Sequence, residues 1–287
     1  MLAASELPSE VSVAPAGLLL IEWRNSSGHR VAIMSSKTIG IIAAMPEETA
    51  PLLRKVGRVH RELHRGFNLY RFTYGRSDVC LLESRIGMGQ SARATRELLD
   101  LADVGMILNI GLGGAPLPDL SVGDIVVAER LIYFKERLFS EQQGLDARLT
   151  SDCLSALQGE RKFRVCPGTS ITAAEILDKK SFAPLIPSGV RHPVLEMETT
   201  AVARIAREHS IPLAAVRAIS DGSDEELGFS IGEFTDEEMR ISPWRVVQTI
   251  ARKPGIVPQL IRLGLNSRRA AENLARAVLA ILDGLRV

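Results

Sequence analysis

The chain has few of the residues that build metal centres, disulfide frameworks or membrane spans. Its 287 residues include three cysteines and five histidines. Cys80, Cys153 and Cys166 are widely separated and each sits among apolar neighbours. That pattern fits reduced thiols in a cytoplasmic protein and argues against a disulfide scaffold or a zinc site. The histidines are equally dispersed, so no metal is expected. A net charge of +1 gives no broad electrostatic footing for nucleic acid. The apolar run Leu18-Leu19-Leu20-Ile21 is too short to cross a bilayer. Acidic Glu6 and Glu10 precede it, where a secretion signal carries positive charge. There is no internal repeat and no linker. What remains, 46% hydrophobic and 24% charged, is enough to bury one large core.

Residues 1–36 differ from the rest: a Ser/Pro/Ala-rich start, the short apolar run and a polar stretch through Arg30. They are expected to be a poorly ordered extension, with Met34 directly before a strand as a natural start. Residues 37–287 read as a single domain. From Thr38, strands and helices alternate. Thr38 to Ala44 is a continuous apolar strand, followed by a helix start at Pro46-Glu47-Glu48, where proline and carboxylates both favour the first turn. Phe67 to Thr73 and Asp78 to Ser84 read as paired strands, Ser91 to Leu101 as a helix, and Gly105 to Ile110 and Asp124 to Ala128 as buried strands. Thr199 to His209 is a helix, Leu213 to Ser220 a buried strand, and Arg268 to Leu285 a long amphipathic helix. This mixture predicts an α/β fold with a central sheet flanked by helices. Ligands in such sheets lie beyond the carboxyl ends of the strands. Glu47-Glu48, Arg85, Asn109 to Gly114 and Ser220-Asp221 all fall at such ends.

Several carboxylates without clustered His or Cys suit breaking a bond to a sugar without a metal. Glu196 and Glu198 flank Met197 at a helix start. One acid there is explained by the helix dipole; two acids around a methionine that can pack on a sugar face also fit recognition of ribose hydroxyls. Asp221 closes the apolar run Ala214 to Ser220 and either caps a turn with Gly222-Ser223 or donates a proton to a departing purine. Arg217, inside the same strand, is expected to form a structural ion pair with Glu196 or Glu198. Gly111-Leu112-Gly113-Gly114 lacks the helix that a dinucleotide site requires after its glycines. It is read as a tight turn that lets a sugar approach the backbone. No organic cofactor is therefore expected. Trp244, Arg245, Arg252, Lys253, Arg262, Arg268 and Arg269 make the C-terminal part locally basic and amphipathic. Such a stretch is usually a solvated helix face, with peripheral membrane contact the minor alternative.

Taken together, Ile39 to Glu48, Asn109 to Gly114, Val122 to Val127, Glu196-Met197-Glu198 and Val216 to Asp221 resemble the nucleoside phosphorylase superfamily, and within it the methylthioadenosine/S-adenosylhomocysteine nucleosidases. The resemblance runs from about Thr38 to Phe234. It implies a three-layer α/β/α fold with a central mixed sheet, a homodimer, and cleavage of the N-glycosidic bond of a small-molecule purine nucleoside. By position it implies that Glu48 activates water, Glu198 holds the ribose hydroxyls beside Met197, and Ser220 and Asp221 position and protonate the purine. Leu112 stands where those nucleosidases carry a small hydroxyl residue. Ile176, with Leu177 beside it, stands where they carry a base-stacking Phe. The segment 242–287 is similar to the hopanoid-associated branch, which implies removal of adenine from an adenosyl lipid precursor as an alternative. Phosphorolysis is a further alternative. Phosphorylases of the superfamily carry an Arg where this chain has Asn109, and Arg85 is the candidate anion site.

Overall fold

Unbroken apolar runs form the centre of one ten-stranded sheet, and amphipathic helices cover both its faces. The computed structural model describes residues 37–175, 177–223 and 254–285, together with the backbone course of three strands before them. Those three, β1 (Glu10–Val13), β2 (Leu19–Arg24) and β3 (Arg30–Met34), pair antiparallel in a small separate sheet within the extension expected to be poorly ordered.

The large sheet starts with β4 (Thr38–Ala43), followed by α1 (Pro46–Leu53) and the antiparallel run β5 (His60–His64), β6 (Phe67–Tyr74) and β7 (Ser77–Glu83). Next come α2 (Met88–Leu101), β8 (Val104–Gly114), β9 (Ile125–Lys135), β10 (Leu138–Gln142), α3 (Ala147–Ala156) and β11 (Val165–Ala173). The short α4 (Lys179–Phe182), β12 (Pro193–Glu196), α5 (Thr199–Glu208), β13 (Leu213–Asp221) and α6 (Val257–Gly284) complete it. α6 begins well before the expected Arg268. Pro258 lies in its first turn, where the missing N–H costs nothing. Its first half leaves Ile261 and Leu265 about 60% exposed, while its second half is buried against the sheet.

One face packs Ile39, Ile41, Leu108, Ile110 and Val216 under Leu52 of α1, Leu149 of α3 and Leu274, Val278 and Ile281 of α6. The other packs Ile42, Leu82, Ile107 and Leu213 under Leu98 of α2 and Val202, Ala203 and Ala206 of α5. The result is the three-layer α/β/α arrangement, in which each fully buried aliphatic side chain contributes roughly 1.5–3 kcal/mol. The three cysteines are buried, unpaired thiols.

Two topological facts position the site. β4, β7, β8 and β13 all run parallel, so Ala43, Glu83, Gly114 and Asp221 end at the same rim. In addition, pairing closes on itself: β8 bonds β13, β13 bonds β9, β9 bonds β11, β11 bonds β12, and a single bridge from Leu195 to Gly114 returns to β8.

Candidate active site

Gly111 to Gly114 do not form the expected turn. They continue β8 in register with Arg217 to Asp221 of β13. Their missing Cβ atoms make room for neighbouring protein groups. A Cβ on Gly111 would lie 2.9 Å from Glu48 Oε1, one on Gly113 would run into Val194, and one on Gly114 would lie 2.9 Å from Asp221 Oδ2. Glu48 and Asp221 both reach this bare strand end.

Glu48 is the third residue of α1 and turns back over the helix start. Its Oε2 accepts the amides of Ala44 at 2.7 Å and Met45 at 2.9 Å, and its Oε1 accepts the Leu112 amide of β8 at 2.9 Å. Reaching back to the cap residue's amide is what a capping box does, so one side chain both starts α1 and fixes the acid on β8. Burial raises its pKa, and the three amides and Arg217 only partly offset this. A carboxylate so perturbed is a better proton acceptor. Glu47, beside it, is exposed.

The two acids around Met197 have different roles. The Glu196 carboxylate accepts from the Glu198 amide at 2.9 Å, the Thr199 amide at 2.7 Å, the Thr199 hydroxyl at 2.7 Å and Arg217 Nη2 at 2.9 Å, and also meets the Thr172 hydroxyl. Arg217 in turn donates to the Asn109 side-chain carbonyl at 2.6 Å and to its backbone carbonyl at 3.0 Å. This buried network ties together β8, β11, β12, β13 and the start of α5. Glu196, expected to bind substrate, has its oxygens committed to this pair, because a buried carboxylate is tolerated only when partnered. Glu198 is the cap residue of α5, and its side chain does not cap the helix. Its Oε1 accepts the Gly87 amide at 2.8 Å. Burial first, and then the charge of Glu196, push its pKa up to about 7, with Glu48 contributing in the same direction. Glu48 is thus near enough for its charge to disfavour ionisation of Glu198. Met197 is half-buried beside them.

At the end of β13, Asp221 Oδ1 accepts the Ser220 hydroxyl at 2.6 Å. The Ala115 amide donates to the Asp221 carbonyl at 2.9 Å, holding the strand end against β8. Lys179, absent from the residues picked out above, contacts Asp221 Oδ2. Along β8, Leu112, whose amide holds Glu48, and Gly114, whose bare Cα leaves room for Asp221, are two residues or about 7 Å apart. Arg85 adopts φ 67° and donates to the Gly66 carbonyl at 3.0 Å. Leu177 is half-buried against the cluster of Ile132, Phe134, Ile171 and Phe182. Ile176 lies outside the described residues, as do Trp244, Arg245, Arg252 and Lys253 of the basic segment.

Residues 38–250 match the family model of the Phosphorylase superfamily. The chain belongs to this superfamily. It is 27% identical over 216 residues to an aminodeoxyfutalosine nucleosidase of Helicobacter pylori, covering 71% of this chain and 94% of that protein. It is 29% identical over 216 residues to a 5′-methylthioadenosine/S-adenosylhomocysteine nucleosidase of Listeria monocytogenes, covering 69% and 91%. The crystal structure of such a nucleosidase from Neisseria meningitidis, in complex with methylthio-immucillin-A, superposes with a TM-score of 0.66 at 20% identity, over 87% of this chain and 100% of that one. The superfamily fold read from the motifs is therefore the fold observed. Among the described residues no helix is long and apolar enough to cross a membrane.

Proposed function

We propose that this chain is a purine nucleosidase, a hydrolase that cuts the N-glycosidic bond of a 5′-modified adenosine of the methylthioadenosine/S-adenosylhomocysteine type and releases adenine. The observation that supports this reading is that Glu48 and Asp221 both reach the last four residues of β8, while Glu198, held by the Gly87 amide, is close enough to feel the charge of Glu48. Relatives named as nucleosidases, matched over nine-tenths of their length, support the reaction class.

Glu198 accepts hydrogen bonds from the ribose hydroxyls, with Met197 packed beside the sugar. As the bond from the sugar carbon to the purine nitrogen breaks, its electron pair enters the base, and Asp221, aligned by Ser220, gives a proton to a ring nitrogen. Glu48 takes a proton from the water whose oxygen attacks the oxocarbenium-like carbon. One proton leaves Asp221 and one arrives on Glu48, and exchange with solvent restores both.

Water is favoured over phosphate because Asn109 stands where phosphorylases of the superfamily carry an Arg, and among the described residues Arg217 is paired with Glu196 and Asn109 and Lys179 with Asp221; Arg85, which donates to the Gly66 carbonyl, is the cation that phosphorolysis would use. Adenine release from methylthioadenosine is expected with and without phosphate, and an absolute phosphate requirement would overturn hydrolysis. The relatives are named for different nucleosides. A panel of methylthioadenosine, S-adenosylhomocysteine, 5′-deoxyadenosine, inosine and an adenosine with a bulky apolar 5′ tail therefore assigns the 5′ group. Failure to release free base from any of them defeats the reading. A cytoplasmic homodimer accompanies it, on the family resemblance, and sedimentation tests the dimer.

A further inference from the structure

Lys179, at the first position of α4, crosses to the end of β13. Its ammonium meets Asp221 Oδ2 and donates to the Asp221 carbonyl at 3.1 Å and the Gly222 carbonyl at 2.8 Å. An ammonium has three N–H groups, so all its donors are used on this one strand end. The pair is sheltered, with side-chain exposures of 13% for Lys179 and 20% for Asp221. The space for it comes from β8, since a Cβ on Gly114 would lie 2.9 Å from both Lys179 Cε and Asp221 Oδ2. α4 does not need this bridge for its own anchorage. Asp178 caps it through the Ser181 amide at 2.9 Å, and Phe182 is buried against Phe134 and Ile171. Three separate elements thus converge on one carboxylate, with Ser220 on one oxygen and Lys179 on the other.

We propose that Lys179 is a positioning residue for Asp221, fixing the acid in the orientation that faces the departing base and stabilising the carboxylate left when its proton has passed to the purine. Lys179's role rests on the nucleosidase reading, because it concerns only the leaving-group half of that reaction. Preorganised charge acts where negative charge develops without rearranging at the moment of reaction. In this site that charge develops on the Asp221 carboxylate as its proton passes to the purine, and Lys179 already meets that carboxylate; it does not develop at the water held by Glu48 or at the ribose hydroxyls.

The test compares wild type with Lys179→Met, which keeps the aliphatic stem and removes the charge, and with Lys179→Arg, which restores it. Two substrates are used: methylthioadenosine, and the 4-nitrophenyl riboside carrying the same 5′ group, whose phenolate departs without a proton. Lys179→Met is expected to lower kcat for methylthioadenosine roughly tenfold to a hundredfold, with KM changed less than about threefold. It should lose far less on the nitrophenyl substrate, and Lys179→Arg should recover part of kcat. A loss confined to KM, no loss at all, equal losses on both substrates, or no rescue by Arg overturns the assignment. Should Lys179→Met melt below the assay temperature, Lys179→Gln is judged by the same kcat, KM and substrate ratios. A wild-type chain that releases no adenine from any 5′-modified adenosine defeats the nucleosidase reading instead.

Discussion

Replacing Glu198 with Gln isolates the cost of holding a carboxylate in this site. Burial and the neighbouring acids move the Glu198 pKa from 4.5 up to about 7. Each unit is worth about 1.4 kcal/mol of difference between the protonated and ionised forms, so the ceiling is about 3 kcal/mol. Because the residue as a whole is only half-buried, solvent screening reduces this to about 2 kcal/mol. The sign follows from which form the fold tolerates. The raised pKa means that the protonated acid is favoured in the folded state, so the wild type has its full stability below about pH 4.5 and loses this increment as pH rises through about 7. The Gln side chain stays neutral throughout and retains an oxygen for the Gly87 amide. Glu198→Gln should therefore match wild type near pH 4.5 and exceed it by about 2 kcal/mol at pH 8.5, or roughly 4–8 °C in melting temperature. Urea unfolding of both proteins at several pH values measures the difference, and the other titrating groups largely cancel. The same variant should lose ribose affinity. If the stability gap between the two proteins is the same at pH 4.5 and pH 8.5, Glu198 is not an enclosed, crowded carboxylate and the reasoning fails.

Asp221→Asn should retain the fold, checked by circular dichroism, while adenine release falls roughly a hundredfold to ten-thousandfold; undiminished turnover would remove Asp221 as the acid. Gly111→Ala puts a methyl group 2.9 Å from Glu48 Oε1. It should cut kcat roughly tenfold to a hundredfold with little change in KM, and steady-state kinetics on methylthioadenosine will decide. Arg217→Met leaves the Glu196 carboxylate buried without its cation and should destabilise by about 3–5 kcal/mol in chemical denaturation. Adding Glu196→Gln to it should recover part of that loss, and strict additivity of the two substitutions would argue against a coupled pair.

Much of the sheet centre was legible in the sequence because strands buried on both faces are written as apolar runs, unbroken from Ile39 to Ala43 and interrupted only by Arg217 from Leu213 to Ile219. The direction of these strands follows from the helices between them, which is why the rim residues were anticipated together. The outer strands were not seen. β5 reads His-Arg-Glu-Leu-His, and β10 is half polar, because an edge strand is exposed. β11 carries Pro167 and Gly168 and tolerates them by a shift of register against β9 at Gly168/Thr169. The glycines of β8 read as a turn because glycine disfavours strands, yet here close approach by Glu48, Val194 and Asp221 overrides propensity. Glu196 and Glu198 cannot be told apart by type or spacing, and only the position of Arg217 separates them. Lys179 sits in Asp178-Lys179-Lys180, which reads as a solvated charge run. Its partner is 42 residues away, so no local signal marks it.

Five strands bonded in a closed circuit have no free margin from which to peel. The outer side of the sheet, through β6 to β5, can fray one strand at a time, whereas β8 and β13 cannot separate without breaking the whole loop. Backbone amides of Ile110, Val127 and Val216 should accordingly exchange with deuterium only on global opening, well after those of Arg61 or Leu63. Sequence drift or local melting along that outer border can proceed while the scaffold beneath the three carboxylates keeps its geometry.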